Sequence, residues 1–164
     1  PLGGVVYDPT RDECFTAVAG RGARLIAPGG ATALHVSDVD ELTQSLLATG
    51  FPYDRRTSPE NNFDAFVAIK KRCQAVRRCG SAALDLCLVA DGTYEGYWER
   101  KLRPWDIAGG VAIVRAAGGR VSEFDVVLGS PGCITSGHVV ATNGLVHDAL
   151  LEALARVKRG AGAP

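Results

Sequence analysis

Segments of two-residue alternation are interleaved with segments of helical spacing along nearly the whole chain, and this restricts the fold to layers of helix packed on sheet, an α/β layered sandwich. Gly4-Val5-Val6-Tyr7 and Glu13-Cys14-Phe15-Thr16-Ala17-Val18 have strand character and flank the turn composition Asp8-Pro9-Thr10-Arg11-Asp12, which predicts a β-hairpin. The Gly-, Pro- and Ala-rich stretch from Ala27 to Ala33 reads as a loop. Ser37-Asp38-Val39-Asp40-Glu41 has helix-start chemistry, with room for a short helix before a buried strand over Ser45-Leu46-Leu47-Ala48-Thr49.

Ser58 followed by Pro59 predicts a helix with Ser58 as N-cap, ending near Cys73 and carrying Phe63, Phe66, Val67 and Lys70 on one side. A strand over Ala75-Val76-Arg77-Arg78 leads to Gly80-Ser81, where Ser81 caps a helix from Ala82 to Ala90 that Asp91-Gly92 ends. Alternation from Tyr94 to Glu99 marks a strand. Pro104 and helical spacing of Ile107, Val111, Val114 and Ala117 mark a helix with Asp106 in its first turn. Strands over Val121 to Phe124 and His138 to Ala141 flank a Gly/Ser/Pro loop. An amphipathic helix from Leu145 to Val157 closes the chain, with residues 160–164 as a frayed tail.

Composition narrows the function classes. Eighteen basic residues balance eighteen acidic ones, so no global field attracts nucleic acid or an anionic membrane surface, and neither is expected as a partner. No apolar run approaches the ~20 residues that cross a bilayer. The five cysteines form no C-x-x-C pair and fit reduced thiols in a cytoplasmic protein. His35, His138 and His147 are too scattered for a ligand set, and Arg55-Arg56, Lys70-Lys71-Arg72 and Arg77-Arg78 read as solvated faces.

Two helix starts concentrate the chemistry. Gly80-Ser81-Ala82 offers unpaired backbone N–H groups and a partial positive charge to an anion or to substrate hydroxyls, or is a simple cap. Asp106 is either an oxygen ligand for a hard cation such as Mg²⁺ or a stabilising first-turn acid. Glu99 ends a strand seven residues earlier and either points into the same cleft or is exposed; Asp85 is a mid-helix carboxylate expected to have a structural partner.

Taken together, Gly80-Ser81-Ala82-Ala83-Leu84-Asp85, the Glu99 of Tyr97-Trp98-Glu99, and Trp105-Asp106-Ile107-Ala108-Gly109-Gly110 ahead of Ala117-Gly118-Gly119 resemble the inositol monophosphatase family. Gly4-Val5-Val6-Tyr7-Asp8-Pro9, Ala48-Thr49-Gly50-Phe51-Pro52-Tyr53 and Ala141-Thr142-Asn143-Gly144 extend the likeness over nearly the whole chain. The resemblance implies a sugar-phosphatase fold of which this is the C-terminal portion, and Mg²⁺-assisted attack of water on inositol monophosphate or a similar small phosphorylated polyol. By position it makes Asp106 a metal ligand also near the substrate, Glu99 a partner of a polyol hydroxyl, and Gly80, Ser81 and Ala82 the lining of the substrate pocket. A homodimer is expected on the same ground.

The family's Asp-Pro-(Ile/Leu)-Asp-Gly-Thr motif and upstream Glu-Glu pair are absent, and Asp8-Pro9-Thr10-Arg11-Asp12 does not replace them. Residues 1–36 are therefore expected to be a hairpin and loop belonging to the sheet of a missing N-terminal half, and residues 37–159 a C-terminal α/β substrate-side domain. The segment 125–137 departs from the family pattern, and its conformation is left open. This chain alone is expected to be inactive. Two other readings stand: a phosphatase for fructose bisphosphate, histidinol phosphate or nucleotide phosphates, and a noncatalytic interaction module that keeps the fold without the metal cluster.

Overall fold

A computed structural model describes residues 1–124 and 132–160, the side chains of the last three excepted. The first four strands, β1 (Gly3–Asp8), β2 (Glu13–Val18), β3 (Gly22–Ala27) and β4 (Gly30–Ala33), form an antiparallel meander in that order. The expected first hairpin is present, with Val6 opposite Phe15 and Tyr7 opposite Cys14. The stretch expected as a loop at 27–33 is instead a second hairpin, in which Ala27 pairs with Gly30 across a turn at Pro28 and Gly29. Composition masked it, but β3 does alternate: Ala23 and Leu25 turn inward while Arg24 and Ile26 face out.

The second sheet contains β5 (Leu46–Thr49), β6 (Ala75–Arg77), β7 (Gly96–Glu99), β8 (Arg120–Ser122) and β9 (Val139–Thr142), in the order β6-β5-β7-β9-β8. β5 runs parallel to both β6 and β7, whereas β9 is antiparallel to β7 and β8. Helices α2 (Ala82–Ala90) and α3 (Pro104–Ala116) lie between the two sheets, and α1 (Phe63–Lys70) and α5 (His147–Gly160) cover the far side of the second sheet. Strand parity makes this layering possible. Ala48, Tyr97 and Ala141 enter the core shared with α2 and α3, while their neighbours Leu47, Trp98 and Val140 enter the core shared with α1 and α5. The layered α/β sandwich expected from the sequence is the observed architecture.

Several local expectations change. The helix-start chemistry at residues 37–41 yields only a 3-10 turn at Leu42–Gln44. Helix α1 begins at Phe63 rather than at Ser58, because Ser58 is engaged elsewhere: its Oγ accepts from Glu60 N at 3.2 Å and from Lys101 Nζ at 2.6 Å. Its buried face is Ala65 and Ile69, whereas Phe63 and Val67 are exposed. Phe63 and Phe66 stack on Phe51, with centroids 5.1 and 5.7 Å apart. Within 125–137, residues 132–137 include the short helix α4 (Cys133–Ser136), and 125–131 lie outside the described residues. Gly160 ends α5 instead of opening a tail, and residues 161–164 also lie outside the described residues.

Helix α3 is clasped on two sides through Gly109-Gly110. A Cβ at Gly110 would lie 2.6 Å from Cβ of Leu86 on α2, and one at Gly4 of β1 would lie 2.3 Å from the carbonyl oxygen of Gly109. These glycines let α2, α3 and β1 approach more closely than any side chain permits. The approach fixes where the first turn of α3 points.

Candidate functional site

A pocket of about 300 Å³ lies at the C-terminal ends of the parallel strands β5 and β7, where the starts of α2 and α3 converge. Open α/β sheets bind ligands at such strand ends, because helix N-termini and connecting loops meet there. Gly80, Ser81, Ala82, Glu99 and Asp106 all line this one pocket, so the five positions singled out in the sequence are brought together.

Glu99 is not an exposed strand-end acid. It is 9% exposed, and its Oε2 accepts a short hydrogen bond from the Tyr97 hydroxyl. A Cβ at Gly50 would lie 2.0 Å from the same oxygen, so only glycine at the end of β5 leaves room for the carboxylate. Burial pushes the Glu99 carboxyl above its usual range and Asp106 adds to this, while Tyr97 and Arg78 pull it down. Asp106 is the third residue of α3, and its Oδ2 accepts from the N-cap Arg103 N at 2.8 Å, one half of a capping box. Oδ1 takes no part in that bond. Ser81 caps α2 by accepting from Leu84 N at 3.4 Å, and the first N–H groups of the helix, at Ala82 and Ala83, face no intrahelical acceptor.

Three residues with a place here were read differently in the sequence. Asp85 also lines the pocket, and at 1% exposure its Oδ1 has no hydrogen-bond partner among the described residues. Burial pushes its carboxyl up to about 6, with Glu99 raising it further and Cys79 and Arg78 opposing. Arg55 and Arg78, read as parts of solvated faces, line the pocket as well. Helical spacing would have revealed Asp85, since it is one turn beyond Ser81 on the face that begins at the cap.

Oxygen donors of this kind suit a hard cation. Asp106 keeps one carboxylate oxygen outside its cap, but among the described residues no three His, Cys, Asp or Glu side chains come together as a metal site. Asp106 fits as one ligand of a larger set. Three other sulfur or imidazole groups are buried in the core: Cys87, Cys133 and His147, which bridges Ser122 Oγ and Thr142 Oγ1 at 2.9 Å each. Cys79 is exposed, and its Sγ lies 3.2 Å from the Tyr94 hydroxyl. Among the described residues no helix is long and apolar enough to cross a membrane.

Fold and site define a layered α/β protein with a carboxylate-lined, small-ligand pocket at the joint of two helix starts. The model of the inositol monophosphatase family matches residues 1–159, and the chain belongs to that family. It is 46% identical over 155 residues to an inositol-1-monophosphatase of Synechocystis sp., covering 94% of this chain and 52% of that protein. It is 44% identical over 138 residues to a Nus factor SuhB of Pasteurella multocida, covering 84% of this chain and 49% of that one. Among solved structures, an inositol monophosphatase from Anabaena (Nostoc) sp. superposes with a TM-score of 0.87 at 47% identity, over 95% of this chain and 59% of that chain. The chain thus spans about half the length of the curated relatives it matches.

Proposed function

We propose that this chain is the substrate-side part of a Mg²⁺-dependent phosphatase that hydrolyses inositol monophosphate or a similar small phosphate monoester. The observation that carries the reading is the convergence of Glu99, Asp106 and the start of α2 on one pocket at the ends of β5 and β7. Asp106 would hold the cation, which supplies charge stabilisation at the phosphate and lowers the pKa of a bound water. Glu99, its orientation fixed by Tyr97 and Gly50, accepts a hydrogen bond from a ring hydroxyl. The free N–H groups at Ala82 and Ala83 and the partial positive charge of α2 receive further ligand oxygens. The family match and the inositol-1-monophosphatase relative support this substrate class.

The remaining ligands belong, in this proposal, to a longer polypeptide whose strands continue the first sheet beyond β1. Val5, Tyr7 and Ile26 support it: they stand exposed on one face of that sheet, and β1 is its edge. A homodimer is part of the same proposal. A second reading, a noncatalytic interaction module, is favoured by the lack of a three-ligand metal set among the described residues.

Replacing Asp106 by Asn in the longer protein separates the two readings. A neutral amide is a poor ligand for a hard dication, so phosphate release should fall at least about a hundredfold with the circular dichroism spectrum unchanged. Unchanged turnover at saturating Mg²⁺ removes Asp106 from the metal site, and no turnover in the unsubstituted protein favours the module.

A further inference from the structure

Asn62 stands at the N-cap of α1 but its side chain does not cap the helix, although an asparagine there ordinarily accepts from an N–H of the first turn. Its backbone is left-handed, with φ of 71°, a conformation that costs a non-glycine residue free energy and persists where the surroundings impose it. The buried amide is engaged at the strand ends instead. Nδ2 donates to Gly50 O at 2.7 Å and to Thr49 Oγ1 at 2.9 Å, and Oδ1 accepts from Trp98 Nε1 at 2.9 Å. Thr49 Oγ1 in turn donates to Trp98 O at 2.6 Å.

These bonds lie where the ladder between the strands stops. The β5–β7 register ends with Thr49 opposite Trp98, so the next residues, Gly50 and Glu99, lie beyond the last pair. They are nevertheless packed together: a Cβ at Gly50 would lie 2.0 Å from Oε2 and 2.2 Å from Oε1 of Glu99, so the Gly50 backbone is the wall against which the carboxylate rests. Asn62 holds that wall through Gly50 O, and holds the residue before Glu99 through the Trp98 indole. A buried amide with both N–H groups and its oxygen engaged fixes the two strand ends in one arrangement. Asn62 itself is not among the residues that line the pocket, so its influence on a ligand passes through the strand ends it ties.

We propose that Asn62 is a positioning residue for polyol recognition, setting Gly50 against Glu99 so that the Glu99 carboxylate meets a ring hydroxyl of the ligand. The inference rests on reading Glu99 as the hydroxyl acceptor of a phosphate-ester site, and adds the residue that holds it in place. It puts a determinant of substrate selectivity outside the pocket, at the end of the segment that joins β5 to α1.

Steady-state kinetics of the longer protein with Mg²⁺, on inositol 1-phosphate and on a phosphate ester without ring hydroxyls, tests this. Asn62→Ala should lower the ratio of kcat/KM for the first to that for the second about fivefold or more, chiefly by raising KM for inositol 1-phosphate. A merely structural loss would lower both esters alike, through the folded fraction. Thr49→Val removes the hydroxyl shared by Asn62 and Trp98 at nearly unchanged shape; it should shift the ratio the same way, and it decides the matter where Asn62→Ala does not fold. Asn62→Ala combined with Glu99→Gln should lose little beyond Glu99→Gln alone, since both act on one contact. An equal loss on the two esters, an unchanged ratio, or losses that add in the double variant each overturns the proposal. If the unsubstituted longer protein hydrolyses neither ester, the phosphatase reading fails, and the inference is read from titration with inositol in the presence of Mg²⁺ and inorganic phosphate. Asn62→Ala should then weaken inositol about fivefold or more; the same affinity in the variant, or no inositol binding by the unsubstituted protein, overturns it.

Discussion

Replacing Gly110 by alanine tests the clasp that aims α3 at the pocket. The new Cβ would meet Cβ and Cδ1 of Leu86 at 2.6 Å each and Cγ at 3.2 Å, roughly 1 Å inside ordinary carbon contact. Leu86 is fully buried and its Cβ is fixed to the backbone of α2, so a rotamer change cannot relieve the overlap. The helices must part, an overpacking that costs about 1–3 kcal/mol. Alanine regains about 1 kcal/mol over glycine inside a helix. The net should be a loss of up to about 2 kcal/mol, or up to about 8 °C in Tm for a chain of this size. Gly109→Ala is the internal control: its Cβ would meet Val5 O at 3.1 Å and Val6 Cγ2 at 3.5 Å, a tight contact that the helix-propensity gain nearly offsets. Urea unfolding followed by fluorescence of buried Trp98 measures both variants. A Gly110→Ala chain as stable as Gly109→Ala would refute the close-packing argument and the role given to this glycine pair.

In the longer protein Glu99→Gln should raise KM for inositol 1-phosphate roughly tenfold while kcat falls less, since a hydrogen bond to a charged acceptor made in both ground and transition states is weakened; an equal loss on a phosphate ester without ring hydroxyls would remove that contact. The pH dependence of stability should show two opposed effects. Burial and Arg120 lower the His147 imidazole to about 4, so its contribution is fully present above about 6.5 and is lost as pH falls toward 4. Asp85, raised to about 6, acts in reverse and gains stability as pH falls through 6 toward its unfolded value. Each is worth on the order of 3 kcal/mol, so Asp85→Asn should unmask a steep acid loss below pH 6.5 in urea midpoints, and a flat profile in that variant would show that His147 carries no such effect.

The site was more legible than the segments around it. The cap at Ser81 and the helix from Ala82 to Ala90 follow from local chemistry, and the structure reproduces them residue for residue. The first hairpin was legible too, its second strand matching and its first extending one residue further at each end, to Gly3 and Asp8. Local signals failed where a tertiary partner outbid them: Ser58 has every mark of an N-cap, but Lys101, distant in sequence, takes its hydroxyl and α1 starts at Phe63. Arg55 and Arg78 looked like surface charge because each stands in a run of basic residues, Arg55-Arg56 and Arg77-Arg78; the packing of β5, β6 and the helix starts brings one of each pair to the pocket. Asp85 was legible in position but not in burial, which depends on α3 lying across α2. The hairpin at β3 and β4 was obscured by composition, since glycine, proline and alanine supply turns and short strands alike.

The central claim is that these residues form the substrate side of a Mg²⁺-dependent phosphatase whose metal site is completed elsewhere. Phosphate release from inositol 1-phosphate, followed with and without Mg²⁺ for the isolated chain and for the longer polypeptide proposed to contain it, tests this most directly. One carboxylate holds Mg²⁺ poorly, because the ion parts reluctantly with its water and needs further acidic or phosphate ligands. The account predicts no release by the isolated chain and Mg²⁺-dependent release by the longer protein. Mg²⁺-dependent release by the isolated chain, its identity verified by intact mass, would contradict it.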